Sequence, residues 1–225
     1  MRTLIRHLID IIVHYLPDRE FFVRHPGKRA ALEVEKEVLR KESLERRRTA
    51  RDEMHAHATH VVLSHVEKEI PFPEGSVVAG YWPIGRELDA RPLLRHLAQH
   101  GYKIVLPYAH ERGKSLEFRV WHAHEPMEMD HFQVPAPGKT AEHLVPDIIL
   151  VPLLSFDRQG HRLGYSSGFY DVTLDSLRQQ KSILAIGLGF SSQEVPRIPA
   201  GGLDQPLDGI VTERGVLDFS GFLKG

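Results

Sequence analysis

Between Arg162 and Asp171 the chain reads RLGYSSGFYD, with two glycines and two serines in the five residues Gly164, Tyr165, Ser166, Ser167 and Gly168. Small residues let a phosphate approach backbone N–H groups, Arg162 can neutralise a phosphate oxygen, and Asp171 can hold a Mg2+ that bridges phosphates, because hard cations take carboxylate and phosphate oxygens. The spacing matches neither G-x-x-x-x-G-K-[ST] nor G-x-G-x-x-G. A Gly/Ser connector with an acidic residue in the next helical turn is also ordinary strand-to-helix architecture, so these residue types alone leave both readings open.

The elements around this stretch must position it. Ile148 to Val151 are all apolar, and Leu153 and Leu154 continue the run past Pro152. An unbroken run is what a strand buried on both faces needs, so a central strand is expected to end near Pro152. Phe169, Tyr170 and Asp171 then open an amphipathic run through Leu174 and Leu177 that ends near Gln180. The loop thus feeds a helix N-terminus, where free N–H groups and the helix dipole favour an anion.

Upstream, about Arg29 to Lys68 is helix-forming and free of glycine and proline, and the dense charges from Glu33 to Glu53 read as a solvated face. Lys36 and Arg40, four residues apart, share a face and can reach one polyphosphate; otherwise they are surface charge. His55, His57, His60 and His65 follow no H-E-x-x-H pattern and read as solvated. Strands are expected at Val77–Trp82, Lys103–Pro107, Leu116–Trp121 and Ser182–Leu188, with a short final strand at Gly209–Thr212. A helix is expected from Asp89, as N-cap, to His100, and Pro135, Pro137 and Gly138 mark an irregular crossover. If their strands are parallel, Glu87 and the loop from Ser155 to Gly168 lie on one rim, where Glu87 can accept hydrogen bonds from an amino-pyrimidine ring. Asp204 either approaches the same metal as Asp171 or forms a turn before Pro206.

These elements imply one α/β domain over residues 30–225, a three-layer Rossmann-like sandwich around a mainly parallel sheet. Residues 1–29 are expected to form an amphipathic helical extension, with Leu4, Leu8, Ile11, Ile12 and Tyr15 on one face and Pro17 as its stop; packing on its own domain or a partner subunit is favoured over a membrane-surface or targeting helix and over a poorly ordered extension. Lys and Arg number 29 against 30 Asp and Glu, which argues against a dedicated nucleic-acid binder. The absence of cysteine excludes disulfides, thiolate chemistry and Cys-type zinc sites, and fits a reducing compartment. No apolar run reaches the roughly 18 residues needed to cross a bilayer. A soluble, cytoplasmic protein is expected.

Phe156-Asp157, Gly160, Arg162-Leu163-Gly164-Tyr165, Gly168-Phe169-Tyr170-Asp171 and Leu174 together resemble the signature of the 5-formyltetrahydrofolate cyclo-ligases (methenyltetrahydrofolate synthetases). The resemblance extends over about residues 33–225, through Lys36 with Arg40, Tyr81-x-Pro83 with Glu87 and Asp89, Gly187-x-Gly189-Phe190 with Gln193, and Asp204-x-Pro206-Leu207-Asp208. It implies a Rossmann-like enzyme that uses ATP and Mg2+ to turn 5-formyltetrahydrofolate, with or without a polyglutamate tail, into 5,10-methenyltetrahydrofolate through a phosphorylated formyl group. It further implies that Lys36, Arg40 and the loop Arg162, Leu163, Gly164, Tyr165, Ser166, Ser167, Gly168, Phe169 and Tyr170 hold ATP. Asp171 and Asp204 would serve Mg2+, Arg162, Tyr170 and Asp171 would be catalytic, and Trp82, Glu87 and Tyr165 to Phe169 would border the folate. A monomer or weak homo-oligomer is expected.

Family members commonly carry glycine where Ser166 and Ser167 stand, often tyrosine at Phe169 and often arginine at Val172. These departures motivate an alternative, a non-catalytic folate- or nucleotide-binding paralogue. A sugar-phosphate or acyl-CoA enzyme on a similar scaffold has fold-level support alone.

Overall fold

The computed structural model describes residues 26–165 and 168–221. The expected extension helix and the Ser166-Ser167 pair therefore lie outside the described residues, apart from the start of the first helix. That helix, α1, runs Pro26–Glu69. It opens on a proline, whose fixed φ and missing N–H suit a first helical position. At ~1.5 Å per residue its 44 residues span about 66 Å.

Seven strands form the main sheet: β1 (Val77–Ala79), β2 (Lys103–Tyr108), β3 (Glu117–Val120), β6 (Ile148–Pro152), β9 (Leu184–Leu188), β10 (Gly209–Thr212) and β11 (Gly215–Asp218). Their spatial order is β11-β10-β9-β6-β1-β2-β3, which puts β6 in the centre. Parallel pairing joins β10, β9, β6, β1 and β2, and the two edge strands β3 and β11 run antiparallel. From β1 the chain continues to β2 on one side, whereas β6 leads to β9 and β10 on the other. The gap between the carboxyl ends of β1 and β6 is thus a topological switch point, where open α/β sheets bind ligands.

Alternate residues of the strands feed two cores. On one face Val78, Ile104, Leu150, Ile186 and Val211 pack with Ala58, Val62 and Val66 of α1 and with Leu93, Leu94 and Leu97 of α2 (Arg91–Gln99). On the other, Ala79, Val105, Ile149, Val151, Ala185 and Ile210 pack with Leu174 and Leu177 of α3 (Phe169–Arg178). Helices cover both faces, and the expected three-layer α/β sandwich is present. Gly80 lets α2 close on the sheet, since a Cβ there would lie 2.4 Å from a Leu94 methyl.

Three local expectations are corrected. The strand at Gly209–Thr212 is not final, because β11 pairs with it across a turn at Glu213 and Arg214. The supposed crossover contains β5 (Pro135–Pro137), paired antiparallel with β4 (Met127–Met129); the prolines are tolerated because the sheet has only these two strands, so both are edges. Helix α2 begins at Arg91 with Ala90 as its cap, although Asp89 Oδ1 still accepts the Arg91 N–H at 3.1 Å. No helix among the described residues is long and apolar enough to cross a membrane.

Candidate active site

After β6 the chain makes a hairpin of β7 (Ser155–Phe156) and β8 (Arg162–Leu163), then the loop into α3. Asp157, fully buried, fixes this hairpin: its carboxylate accepts the N–H groups of Gln159 (2.9 Å), His161 (3.0 Å) and Ile198 (2.8 Å). Asp157→Ala would orphan those donors, each costing about 1–3 kcal/mol when buried. A stability loss of about 3 kcal/mol or more is expected, readable as a lower urea midpoint.

Gly168 holds φ +64° at the N-cap of α3 and, having no side chain, makes no capping hydrogen bond to the helix N-terminus. In the first turn, Asp171 Oδ1 accepts from Arg162 Nη2 at 2.8 Å and from the Gln205 N–H at 3.0 Å. Arg162 also donates to the Gln205 carbonyl, which ties the segment around Asp204 to the loop. Leu163 turns into a small apolar cluster with Val195, Ile198 and Leu39, and its carbonyl accepts from Leu154 N–H at 2.7 Å.

Helix α1 supplies the opposing wall. Lys36 Nζ donates to both oxygens of Asp204, at 2.7 and 2.8 Å, and Arg40 Nε reaches the Gly164 carbonyl at 3.3 Å. Four cationic or hydroxyl side chains, Lys36, Arg40, Ser43 and Arg47, recur at helical spacing along one face, and all but the half-buried Arg40 are buried. The solvated-face reading thus fails for this stripe, most sharply at Arg47, which is 2% exposed. Arg47 was missed by sequence reasoning although it lies eleven residues, about three turns, beyond Lys36.

Because β1 and β6 are parallel, the loop after β1 shares their rim. Glu87, 4% exposed, accepts the Ile84 N–H at 2.8 Å and lies 3.9 Å from Arg47 Nη1. Burial is the largest influence on its carboxyl and pushes the pKa up to about 7, against the Ile84 N–H and Arg47, which favour the anion. Desolvation, reinforced by Glu87, raises the Tyr170 phenol far above its ordinary range, with Arg162 acting the other way. Tyr170 therefore stays protonated at neutral pH and has a proton to donate to a hydrogen bond. Trp82 sits half-buried under the Arg91 guanidinium, 5.3 Å from its ring centre, and Phe169 meets Phe132 edge-on at 5.1 Å. Tyr165 is 45% exposed, accepts from Arg47 Nη2 and lies with its ring centre 5.0 Å from that guanidinium.

The structure thus gathers Arg162, Asp171 and Asp204 with Lys36 and Arg40 on one side, and Glu87, Tyr165 and Tyr170 with Arg47 on the other. Each carboxylate of the expected metal pair is held by its own cation, Asp171 by Arg162 and Asp204 by Lys36. Among the described residues no three acidic or histidine side chains converge as an all-protein metal cage. An ion held by Asp171 and Asp204 would need phosphate oxygens and water for its remaining ligands, the set that Mg2+ usually takes.

The chain matches, over residues 32–213, the model of the 5-formyltetrahydrofolate cyclo-ligase family. It is 30% identical over 151 residues to a Haemophilus influenzae protein named 5-formyltetrahydrofolate cyclo-ligase, covering 65% of this chain and 80% of that one. A namesake from Mycolicibacterium smegmatis is 33% identical over 119 residues, covering 50% and 61%. The solved structure of the Aquifex aeolicus 5,10-methenyltetrahydrofolate synthetase superposes with a TM-score of 0.69 at 28% identity, over 82% of this chain and 92% of that one. With the family model spanning most of its length, the chain belongs to the 5-formyltetrahydrofolate cyclo-ligase family.

Proposed function

We propose that residues 30–225 form a cytoplasmic ligase unit that converts 5-formyltetrahydrofolate to 5,10-methenyltetrahydrofolate, consuming ATP. The observation that carries the reading is the meeting of Lys36, Arg40 and Arg162 with the open N-terminus of α3 beside a switch point whose other wall holds Glu87. Relatives bearing the cyclo-ligase name support the same substrate class.

A formamide oxygen is a poor leaving group. In the proposed reaction it attacks the γ-phosphorus of ATP and ADP departs; N10 then bonds to the formyl carbon, its proton is lost, and phosphate leaves with the former formyl oxygen. Such phosphoryl transfer needs alignment and charge neutralisation more than a protein nucleophile. Lys36, Arg40 and Arg162 neutralise the triphosphate while the N–H groups at the start of α3 orient it. Tyr170 keeps its proton and donates. Glu87 holds the amino-pyrimidine edge, and Tyr165, Phe169 and Trp82 form apolar walls around the ring. Asp171 and Asp204 would hold Mg2+, which would supply charge neutralisation for the triphosphate. Lys36 and Arg162 are then free to leave their carboxylates for the triphosphate, so the ion pairs of the unliganded site are exchanged rather than lost.

The test is the near-ultraviolet absorbance of methenyltetrahydrofolate when the protein meets 5-formyltetrahydrofolate with and without Mg-ATP. Growth only with Mg-ATP is expected. Folate and ATP binding with no growth would replace this reading by the non-catalytic paralogue.

A further inference from the structure

Arg47 and Glu87 face each other from α1 and from the loop after β1, with only 3% and 5% of their side chains exposed. Nη1 lies 3.9 Å from Glu87 Oε1, near enough for strong attraction between charges shielded from water and too far for a hydrogen bond. The guanidinium is anchored elsewhere. Its Nη2 donates to the Tyr165 hydroxyl, and its central carbon stands 5.0 Å from the centre of that ring, while Nε and Nη1 are buried without a hydrogen-bond partner. Glu87 Oε2 accepts the Ile84 N–H at 2.8 Å, and Arg47 occupies neither carboxylate oxygen. A guanidinium drawn into hydrogen-bond range would take up lone pairs that an amino-pyrimidine edge needs.

We propose that Arg47 is a positioning residue, which keeps Glu87 ionised for the folate ring from a distance that leaves the carboxylate oxygens open to the ligand. The assignment rests on the folate reading above. A ring edge that presents N–H donors is held by a carboxylate and met badly by a carboxylic acid, whose own O–H would oppose one of those donors. The charge on Glu87 is therefore part of the binding site. Burial works against that charge, and the groups that work for it are the Ile84 N–H and Arg47. The other ionisable neighbours are Tyr81, just past β1, and Tyr170 on α3, both with pKa values raised by burial. Asp89, Arg47 and Arg162 act on these phenols in turn, and the Tyr81 hydroxyl is committed to the Leu88 carbonyl at 2.8 Å. Neither phenol carries positive charge. Arg47 is thus the cation that faces Glu87, and Tyr165 is what fixes it at a useful distance.

The experiment measures 5-formyltetrahydrofolate affinity by titration calorimetry from pH 6 to 9 on wild type, Arg47→Met and Arg47→Lys, after circular dichroism has established that each is folded. Wild-type affinity should rise as pH climbs through about 7. A nearby opposite charge lowers a carboxyl pKa by about 1–3 units, so in Arg47→Met the rise should move about 1–2 units to higher pH. The methionine variant should then bind about 5- to 50-fold more weakly near pH 7 and come within about threefold of wild type near pH 9. Arg47→Lys keeps the charge and should stay closer to the wild-type profile. A merely structural arginine would weaken binding by the same factor at every pH; that result, or an unmoved rise in Arg47→Met, would overturn the assignment while leaving the cyclo-ligase reading intact. A wild-type affinity that is flat across the range would overturn it too, since Glu87 ionisation would then not govern binding. If Arg47→Met does not fold, Arg47→Gln carries the same comparison. A wild type that binds no folate at any pH would overturn both readings.

Discussion

Lys36→Ala is expected to lower kcat/KM for ATP by about 100- to 1000-fold, the loss seen when one preorganised charge-stabilising donor is removed from a site of developing charge. Lys36 is 8% exposed, and in the unliganded site its ammonium serves Asp204 alone at hydrogen-bond distance, with Glu33 3.9 Å away. Its alanine variant should remain folded, because Asp204 keeps the Gly201 N–H at 2.6 Å and is itself partly solvated. The stability loss should therefore fall between those of an exposed and a fully buried pair, about 1–3 kcal/mol. Folate affinity should be unchanged, which separates a phosphate role from general damage. Steady-state kinetics with ATP varied, together with folate titration, reads both. Wild-type kinetics in the variant would remove Lys36 from the nucleotide site.

Glu87→Gln is expected to change both the pH dependence of stability and the affinity for folate. The folded pKa of about 7 lies above the ordinary 4.5, so between these values the native state keeps a proton that the unfolded chain has released. The wild-type protein should therefore lose stability as pH rises from 4.5 through 7, by on the order of 3 kcal/mol, and lose no more from this group above that range. Glutamine cannot titrate, so the variant should lack this component of the slope and gain stability relative to wild type above pH 7. Substrate binding should move oppositely. Only the carboxylate offers acceptors to both ring donors, so wild-type folate affinity should strengthen as pH climbs through about 7, and the variant should bind about 10- to 100-fold more weakly with a flatter profile. Groups facing Glu87 are the Ile84 N–H, Arg47, Tyr81 and Tyr170; both tyrosines have pKa values raised by burial, leaving Glu87 as the member of this cluster that titrates near neutrality. Denaturant melts and folate titrations from pH 5 to 8 measure both limbs, and an unchanged slope in the variant would assign the titration elsewhere.

Much of this site was legible because its carriers obey local rules. Ile148 to Val151 are buried on both faces and read as an unbroken apolar run, and the glycine-bounded loop before α3 announces itself by composition. The small strands obey weaker rules. All four residues of β11 are only half-buried, as befits an edge, and the prolines of β5 argue against a strand unless its partner is known to be an edge too. Arg47 was unreadable for a different reason. Its neighbours in sequence are charges, and what buries it comes from Tyr165, 118 residues away, and from the loop carrying Glu87. Helical spacing placed it on the face of Lys36 and Arg40, but long-range packing decides whether that face meets water or protein. Asp171 and Asp204 show the same limit, since their carboxylate character was visible and their cation partners across the chain were not.

The length of α1 makes it a shaft with two working ends. Lys36, Arg47 and Ala58 follow one another at intervals of eleven residues, and Ala58, Val62, Val66 and Ile70 carry on the buried line. Eleven steps of about 100° return to within ~20° of the starting direction, so the same azimuth grips the site at one end and the core at the other. Rotational phase is therefore what the segment between Arg47 and Ala58 must transmit. A single inserted or deleted residue there would turn one end by about 100° against the other, forcing the guanidinium out of the crevice or the valines out of the core, whereas a substitution that keeps the helix leaves the phase untouched.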